Sequence, residues 1–539
     1  MQITQPHSAQ TEHPSPSIKR LFWVLLTALL APWLWLRCQI TIHSDILWLS
    51  EALKRVLAGG LMQDVAYELN PPLSLLIYSA PVLMEAYTGL PLHIGVIAQT
   101  FLIFVMCLGL FYALLKKTPG LDDASRLCLV AGYVVATTLL SAFHFGQRDH
   151  LIAMALPPFV LMQVAITQRR VVPGIGYTLF LALGSVMILM KPHFGLISLI
   201  LLAHRFKLQR NFSLLGDRDF LALTFTTLGY GAVVWFGFRD YIDVIVPDVL
   251  RYYYLAADNN NVVSIVALSS VVIGALYALT YAMGEKQGCV HFIRGLILAS
   301  IACMGVVLLQ NKGFYYHYLP AMVFFVSACG AVFYDLALQK IKNQAVALFG
   351  VTIALVALAY ICIPLPLNHP RHSGFAEIPL AQEVMTETSG RDVPAFFLFN
   401  NNMGLIHELA YYTNTIHSSR FPNLWFLPGL MYYEQQRVQG HLGLEDAARS
   451  QRDYQRYGDM LAEDLNRYRP TIVWLISPQV FDGKIDLIAF FSSHENFMEA
   501  WSYYQYERTV EIHNDVYKKG ARLDTLTPFL MYRRSDVKE

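Results

Sequence analysis

The stretch Phe143-His144-Phe145-Gly146-Gln147-Arg148-Asp149-His150 sets an Arg-Asp pair between two histidines. It also falls between two apolar runs, 127–142 and 151–166. A guanidinium in such a place can bind a phosphate, and a carboxylate can take a proton or hold a metal. An interfacial ion pair closing a helix end would use the same residues. A charge driven to mid-bilayer costs roughly 2.5–3.5 kcal/mol, so such groups pair with each other, face a cavity or work. A second acid, Asp45, follows the first apolar run in His43-Ser44-Asp45. It can act as a general base toward an acceptor hydroxyl, or Ser44 or Asp45 can cap the helical pattern 47–57. Lys191-Pro192-His193 lies at another helix break, where a lysine and a histidine suit a phosphate and a snorkelling lysine is the plainer account. Asn311-Lys312-Gly313-Phe314-Tyr315-Tyr316-His317 repeats that pattern, although its aromatics also suit an interfacial belt. His43, His144, His150, Lys312 and His317 complete the candidates for substrate contact. Arg251-Tyr252-Tyr253-Tyr254 and Asp258-Asn259-Asn260-Asn261 could stack on and hydrogen-bond a sugar, as any polar loop could.

The elements that position these groups are membrane helices. Of 539 residues, 55% are hydrophobic and 15% charged, with mean hydropathy +0.40. An ordinary soluble domain is about 25% charged. Apolar runs occur near 20–37, 71–88, 94–115, 127–143, 150–167, 174–190, 193–204, 219–238, 262–283, 295–310, 316–338 and 344–364. Most approach the roughly 20 residues that cross a bilayer, so the chain reads as a polytopic membrane protein. A net charge of +1 implies no nucleic-acid partner. Residues 1–19 read as a disordered cytoplasmic tail, and 20–36 as a retained span without a cleavage site. The seven cysteines lie in or beside apolar runs with no metal-ligand spacing.

Loop charges set the topology. If 71–88 does not cross, one side receives the compact clusters Lys19/Arg20, Lys116/Lys117/Arg126, Arg169/Arg170, Arg205/Lys207/Arg210/Arg218, Lys286/Arg294 and Lys340/Lys342. That side is cytoplasmic by the positive-inside rule. The reading is about eleven spans, with the N-terminus inside and the C-terminus outside. Pro71, Pro72, Pro81 and Glu85 suit a broken or interfacial helix over 71–88. This parity places Asp45, Arg148, Asp149, Lys191, His193, Lys312 and the tail on the outer side.

Beyond residue 365 the composition turns polar and aromatic. Residues 395–399 and 471–476 read as buried strands, 403–412 and 442–468 as helices, and 506–517 and 529–533 as closing strands. The fold class is therefore an all-α polytopic membrane domain over 20–364, with an outer loop at 38–93, followed by a small extracytoplasmic α/β domain over 365–539. That domain holds no phosphate loop or nucleophile motif. It reads as a cap that packs on the membrane part and shapes an acceptor groove.

Three features in order resemble the GT-C superfamily of membrane glycosyltransferases, and within it the protein O-mannosyltransferase and lipid A aminoarabinose transferase group. They are Asp45 after the first span, Tyr67-Glu68-Leu69-Asn70-Pro71-Pro72-Leu73, and Gln147-Arg148-Asp149 before a later span. The resemblance covers about residues 20–340. Two departures stand out. Asn70 replaces the usual Lys or His before Pro-Pro-Leu, and Gln-Arg-Asp-His replaces a longer Arg/Glu-rich motif. The resemblance implies a polyprenyl-phosphate sugar donor and an inverting transfer to a glycan, lipid or protein acceptor, in a bacterial inner membrane. It implies Asp45, with Asp149, as catalytic acids, and Arg148, Lys191 and His193 as ligands of the donor phosphate. No definite cofactor follows, and a divalent metal is left open.

Two other functions compete. A flippase or transporter for a lipid-linked sugar would line a path through the bilayer, whereas here few charges lie mid-span. A polysaccharide ligase or polymerase would use arginines and a histidine in a late outer loop. The loop 239–261 has Arg239 and Arg251 but no histidine.

Overall fold

The computed structural model describes residues 15–168, 174–209, 216–253, 260–283, 287–362, 371–391, 394–399, 405–477, 486–513 and 526–535. The chain forms two compact units. One comprises Met1–Arg37, Ala98–Leu228 and Asn259–Leu365, and the other Cys38–Ile97, Gly229–Asp258 and Pro366–Glu539.

The first unit is a helical bundle. Among the described residues, eight helices are long and apolar enough to cross a membrane, which makes the chain a multi-pass membrane protein. Three of the eleven expected spans instead form 15-residue helices: Asp123–Thr137, Ile175–Leu189 and Gly195–Gln209. Fifteen residues rise about 22 Å, short of the roughly 30 Å hydrocarbon core. The first of these continues past Thr138 into a 3-10 turn, Leu139–His144, kinked at Ala142 with φ of 47°. Residues 1–14 of the expected N-terminal tail lie outside the described residues. The helix already begins at Pro16, ahead of residue 20, because proline fits a first helical turn. Of the basic clusters, Arg169, Arg170, Arg210 and Lys286 also fall outside.

Helix Asp123–Thr137 packs against Leu319–Ile341 at two glycines. A Cβ on Gly132 would meet the Val326 carbonyl oxygen at 2.3 Å, and one on Gly330 would meet that of Cys128 at 2.3 Å. Small residues let membrane helices approach this closely. Gly132→Val must push backbone against backbone. It is expected to cost about 1–3 kcal/mol, read as a lower thermal midpoint in detergent.

The second unit is built on a five-stranded mixed sheet: β1 Ala395–Phe399, β2 Ile416–His417, β3 Ile472–Ile476, β4 Tyr504–His513 and β5 Leu526–Arg534. Its order is β2-β1-β3-β5-β4. β1 runs parallel to β2 and β3, and β5 runs antiparallel to β3 and β4. Alternation explains why β1 reads as unbroken AFFLF. Phe396 and Leu398 enter one core with Trp474 and Met531, while Phe397 and Phe399 enter the other with Val473 and Leu475. Helix Leu444–Tyr468 lays Tyr457, Leu461 and Leu465 on that second core. The strand expected over 506–517 is described only to His513, and residues 403–404 of the expected helix lie outside the described set.

The second core also takes in Ile42, Trp48, Tyr67, Tyr241 and Tyr252. Residues 38–97 and 229–258 group with the tail in this unit. Their aromatic side chains find apolar partners in the α/β unit, and this overrides the polar, loop-like look of the segments. The stretch 71–88 is broken as its prolines require, into Leu73–Leu76 and Ser79–Thr88, each too short to cross by itself.

Candidate functional site

In the bundle, an ammonium and a carboxylate meet at the ends of three helices. Gln147 caps helix Arg148–Thr167, its side chain accepting from the Asp149 amide at 2.8 Å. That fixes Asp149 in the first turn with no exposed surface. Lys191 follows helix Ile175–Leu189, where Pro192 ends the helical run and turns the chain. Lys191 Nζ donates to Asp149 Oδ1 at 2.9 Å, lies 2.7 Å from Asp149 Oδ2, and donates to Gln310 Oε1 at 3.3 Å. It also sits 5.4 Å from the Tyr316 ring centroid. A buried charge pair needs such extra polar contacts to offset its desolvation. Gln310 is the last residue of helix Gln287–Gln310, and nothing in its type or spacing marks it in the sequence.

The neighbouring candidates are arranged around this pair. Arg148 is buried beside Asp149 in the same first turn. Burial and the Lys191 charge push the Lys312 ammonium down to about 7. His317 is buried and its Nδ1 hydrogen-bonds the Lys312 carbonyl at 2.8 Å. His144 stacks on Tyr315 and meets Tyr316 edge-on, with centroids at 5.8 and 5.0 Å. His193 is exposed. His150 accepts from the Gly146 amide at Nδ1, 3.0 Å, while Nε2 bonds the Thr137 carbonyl at 2.7 Å. Both ring nitrogens thus brace the turn that carries Arg148 and Asp149. The two oxygens of Asp149 face Lys191. Among the described residues, no group of three or more His, Cys, Asp or Glu side chains could hold a metal.

Asp45 belongs to the α/β unit. It lies in the first turn of helix Ser44–Leu57 and is buried. The cap of that helix is His43, whose Nδ1 accepts from the Asp45 amide at 3.1 Å. The capping role that the sequence offered Asp45 is therefore filled by its neighbour. Glu68 accepts from Trp48 Nε1 at 2.5 Å and from the Asn70 amide at 2.7 Å, and Asn70 Nδ2 also donates to it. The Leu73 amide donates to the Tyr230 hydroxyl at 3.2 Å. The segment 67–73 is thereby tied to the Asp45 helix through Trp48, and Asn70 spends its amide on Glu68.

No protein-family model matches the sequence, and no curated protein matches it. Two solved structures are similar to this chain. The structure of ArnT from Cupriavidus metallidurans bound to undecaprenyl phosphate shares 12% identity, over 96% of this chain and 98% of that one, with a TM-score of 0.46. The apo structure of the same protein shares 12% identity over 86% and 94%, with a TM-score of 0.38.

Sequence reading missed a further polar centre in the α/β unit. Asp248 Oδ2 accepts from Tyr67 at 2.5 Å, from Tyr457 at 2.7 Å and from Arg456 Nη2 at 2.6 Å. Arg456 also donates to Asp453 Oδ1 at 3.0 Å, and Tyr252 donates to Asp453 Oδ2. The i,i+3 and i,i+4 spacing of Asp453, Arg456 and Tyr457 is the only signal that could have found it. Of the Tyr/Asn loop, Tyr252 is part of this structural network. Tyr254, Asp258 and Asn259 lie outside the described residues.

Proposed function

We propose that the protein is an inverting glycosyltransferase of the GT-C type. It moves a sugar from a polyprenyl-phosphate donor to an acceptor hydroxyl at the outer face of a bacterial inner membrane. The observation that supports this most is the half-buried Lys191 ammonium, held by the buried Asp149 and by Gln310 at the end of a helix bundle. A lipid phosphate whose chain lies in the bilayer presents its charge at that depth. Asp149 orients Lys191, and Arg148 and Lys312 add positive charge nearby. In the reaction the acceptor oxygen bonds to the anomeric carbon on the face opposite the leaving group. The bond from that carbon to the phosphate oxygen breaks, and the polyprenyl phosphate departs with its charge neutralised by the cations. The acceptor proton passes to the Asp45 carboxylate. The loop charges put Asp45 and the cations on one side of the membrane, as this scheme requires.

The test is donor binding to the purified protein in nanodiscs. A polyprenyl-phosphate sugar is suitable because its phosphodiester keeps one negative charge across the pH range used. Lys191→Met is expected to weaken binding about ten- to hundredfold, the size of one charge-assisted contact of about 1.5–3 kcal/mol. Lys312 gives the pH dependence a sign. Below about 7 it carries a proton and attracts the phosphate, and above that it is neutral, so affinity falls as pH rises through 7. Lys312→Arg, which stays charged, is expected to flatten that fall. Unaltered binding by Lys191→Met would sink the phosphate site.

A further inference from the structure

The approach to Asp45 is held from the tail at three successive points. Ile40 forms an antiparallel bridge with Arg371, and the His372 amide donates to the Gln39 carbonyl at 2.9 Å. The Ile42 amide donates to the Tyr412 hydroxyl at 3.2 Å, and that hydroxyl bonds His372 Nδ1 at 2.9 Å. The hydroxyl accepts from the Ile42 amide, and its direction toward His372 follows the imidazole tautomer. One helical turn before Tyr412, on the same face of helix Ile406–Tyr412, is Glu408. Glu408 is 4% exposed and lies against Ser44, the first residue of the Asp45 helix. Just before Glu408, His407 packs on Trp48 one turn further along that helix, with centroids 4.9 Å apart. Its Nε2 is fixed on the Pro422 carbonyl at 2.9 Å.

These contacts share one geometry. A seven-residue helix of the tail lies along the turn that delivers Asp45 and grips the backbone before it, the residue beside it and the helix after it. We propose that Tyr412 and Glu408 are positioning residues that hold the Asp45 turn in its working geometry, a role that rests on Asp45 being the base. Neither side chain needs to touch substrate. Burial pushes the Glu408 carboxyl up to about 8, against the pull of the Ser44 hydroxyl and amide. At neutral pH it therefore holds its proton, contributes no negative charge beside Asp45, and acts as a neutral wedge. A glutamine has that shape and polarity, and an alanine has neither.

The experiment compares full-length Tyr412→Phe, Glu408→Ala and Glu408→Gln with the wild type. It reads amide exchange over residues 39–49 and steady-state transfer. Tyr412→Phe keeps the ring and removes the acceptor of the Ile42 amide together with the contact to His372. Exchange is expected to speed up in 39–49 and kcat to fall about ten- to hundredfold, as for a misplaced catalytic group, with the donor KM held. Glu408→Ala should do the same and Glu408→Gln should restore both readouts. Wild-type exchange, or wild-type kcat, in Tyr412→Phe and Glu408→Ala would overturn the proposal. A poorly folded Glu408→Ala leaves Tyr412→Phe to decide it. Full turnover by Asp45→Asn would remove the base assignment by itself, and the exchange readout shows separately whether the turn is clamped.

Discussion

Asp45→Asn is expected to lower the rate of sugar transfer about 10²–10⁴-fold while leaving donor binding intact, the usual range for loss of a positioned base. The structure makes this a clean substitution. The helix Ser44–Leu57 is capped by His43 through the backbone amide of residue 45, and asparagine keeps that amide. Asparagine also keeps the volume of the buried side chain, so neither the cap nor the packing around Trp48 changes. What is lost is the ability to accept a proton from the acceptor hydroxyl. The kinetic signature follows: kcat and kcat/KM fall together and the donor KM moves little, because the missing interaction is made only in the transition state. Single-turnover transfer with a saturating polyprenyl-phosphate sugar measures it. Transfer at the wild-type rate, by protein with a wild-type unfolding profile, would sink the assignment.

Much of the fold was legible because two periodicities are strong in this chain. Apolar runs mark the bundle helices, and buried strands such as 395–399 and 472–476 stand out from the charged helix between them. The composition change at 365 was equally plain. The makeup of the α/β unit was not. Residues 38–97 and 229–258 combine the run 71–88 and the ends of the runs 94–115 and 219–238 with polar stretches that read as outer loops. Their burial comes from Trp48, Tyr67 and Tyr252, single aromatics whose partners are hundreds of residues away. The same limit applies to the site. Lys191 and Asp149 each stood out as a charge at a helix break, yet their pairing spans 42 positions and leaves no local trace. Gln310 had no trace at all. The ambiguity at Asp45 between cap and catalyst was real in the sequence. The structure removes the capping reading, because the atom that accepts from the amide of residue 45 belongs to His43.

The largest effect on stability is expected at a residue that carries no chemistry. Asp248 is 2% exposed, and one of its oxygens accepts from two tyrosines and an arginine. The network joins three stretches of chain: Tyr67 from 38–97, Tyr457 and Arg456 from helix Leu444–Tyr468, and Asp248 itself from 229–258. Burial, with the adjacent Asp248 carboxylate, holds the Tyr67 hydroxyl well above the usual phenol range, so it remains a donor at any working pH. Asp248→Ala strands two buried hydroxyls and a half-buried guanidinium together. Breaking one partner of a buried ion pair costs about 3–5 kcal/mol, and each orphaned donor adds about 1–3 kcal/mol where water cannot reach it. Arg456 keeps Asp453 as a second partner, which caps the loss. Asp248→Asn retains an acceptor without the charge and should fall between alanine and wild type. Thermal unfolding followed by the environment of the tryptophans in the α/β unit reads the difference. Because the network joins the segment that carries Asp45 to the tail, Asp248→Ala should also lower transfer through loss of folded protein. A donor KM unchanged in the folded fraction separates that loss from one at the proposed phosphate site. An Asp248→Ala protein as stable as wild type would show that the three segments are held by their apolar contacts alone.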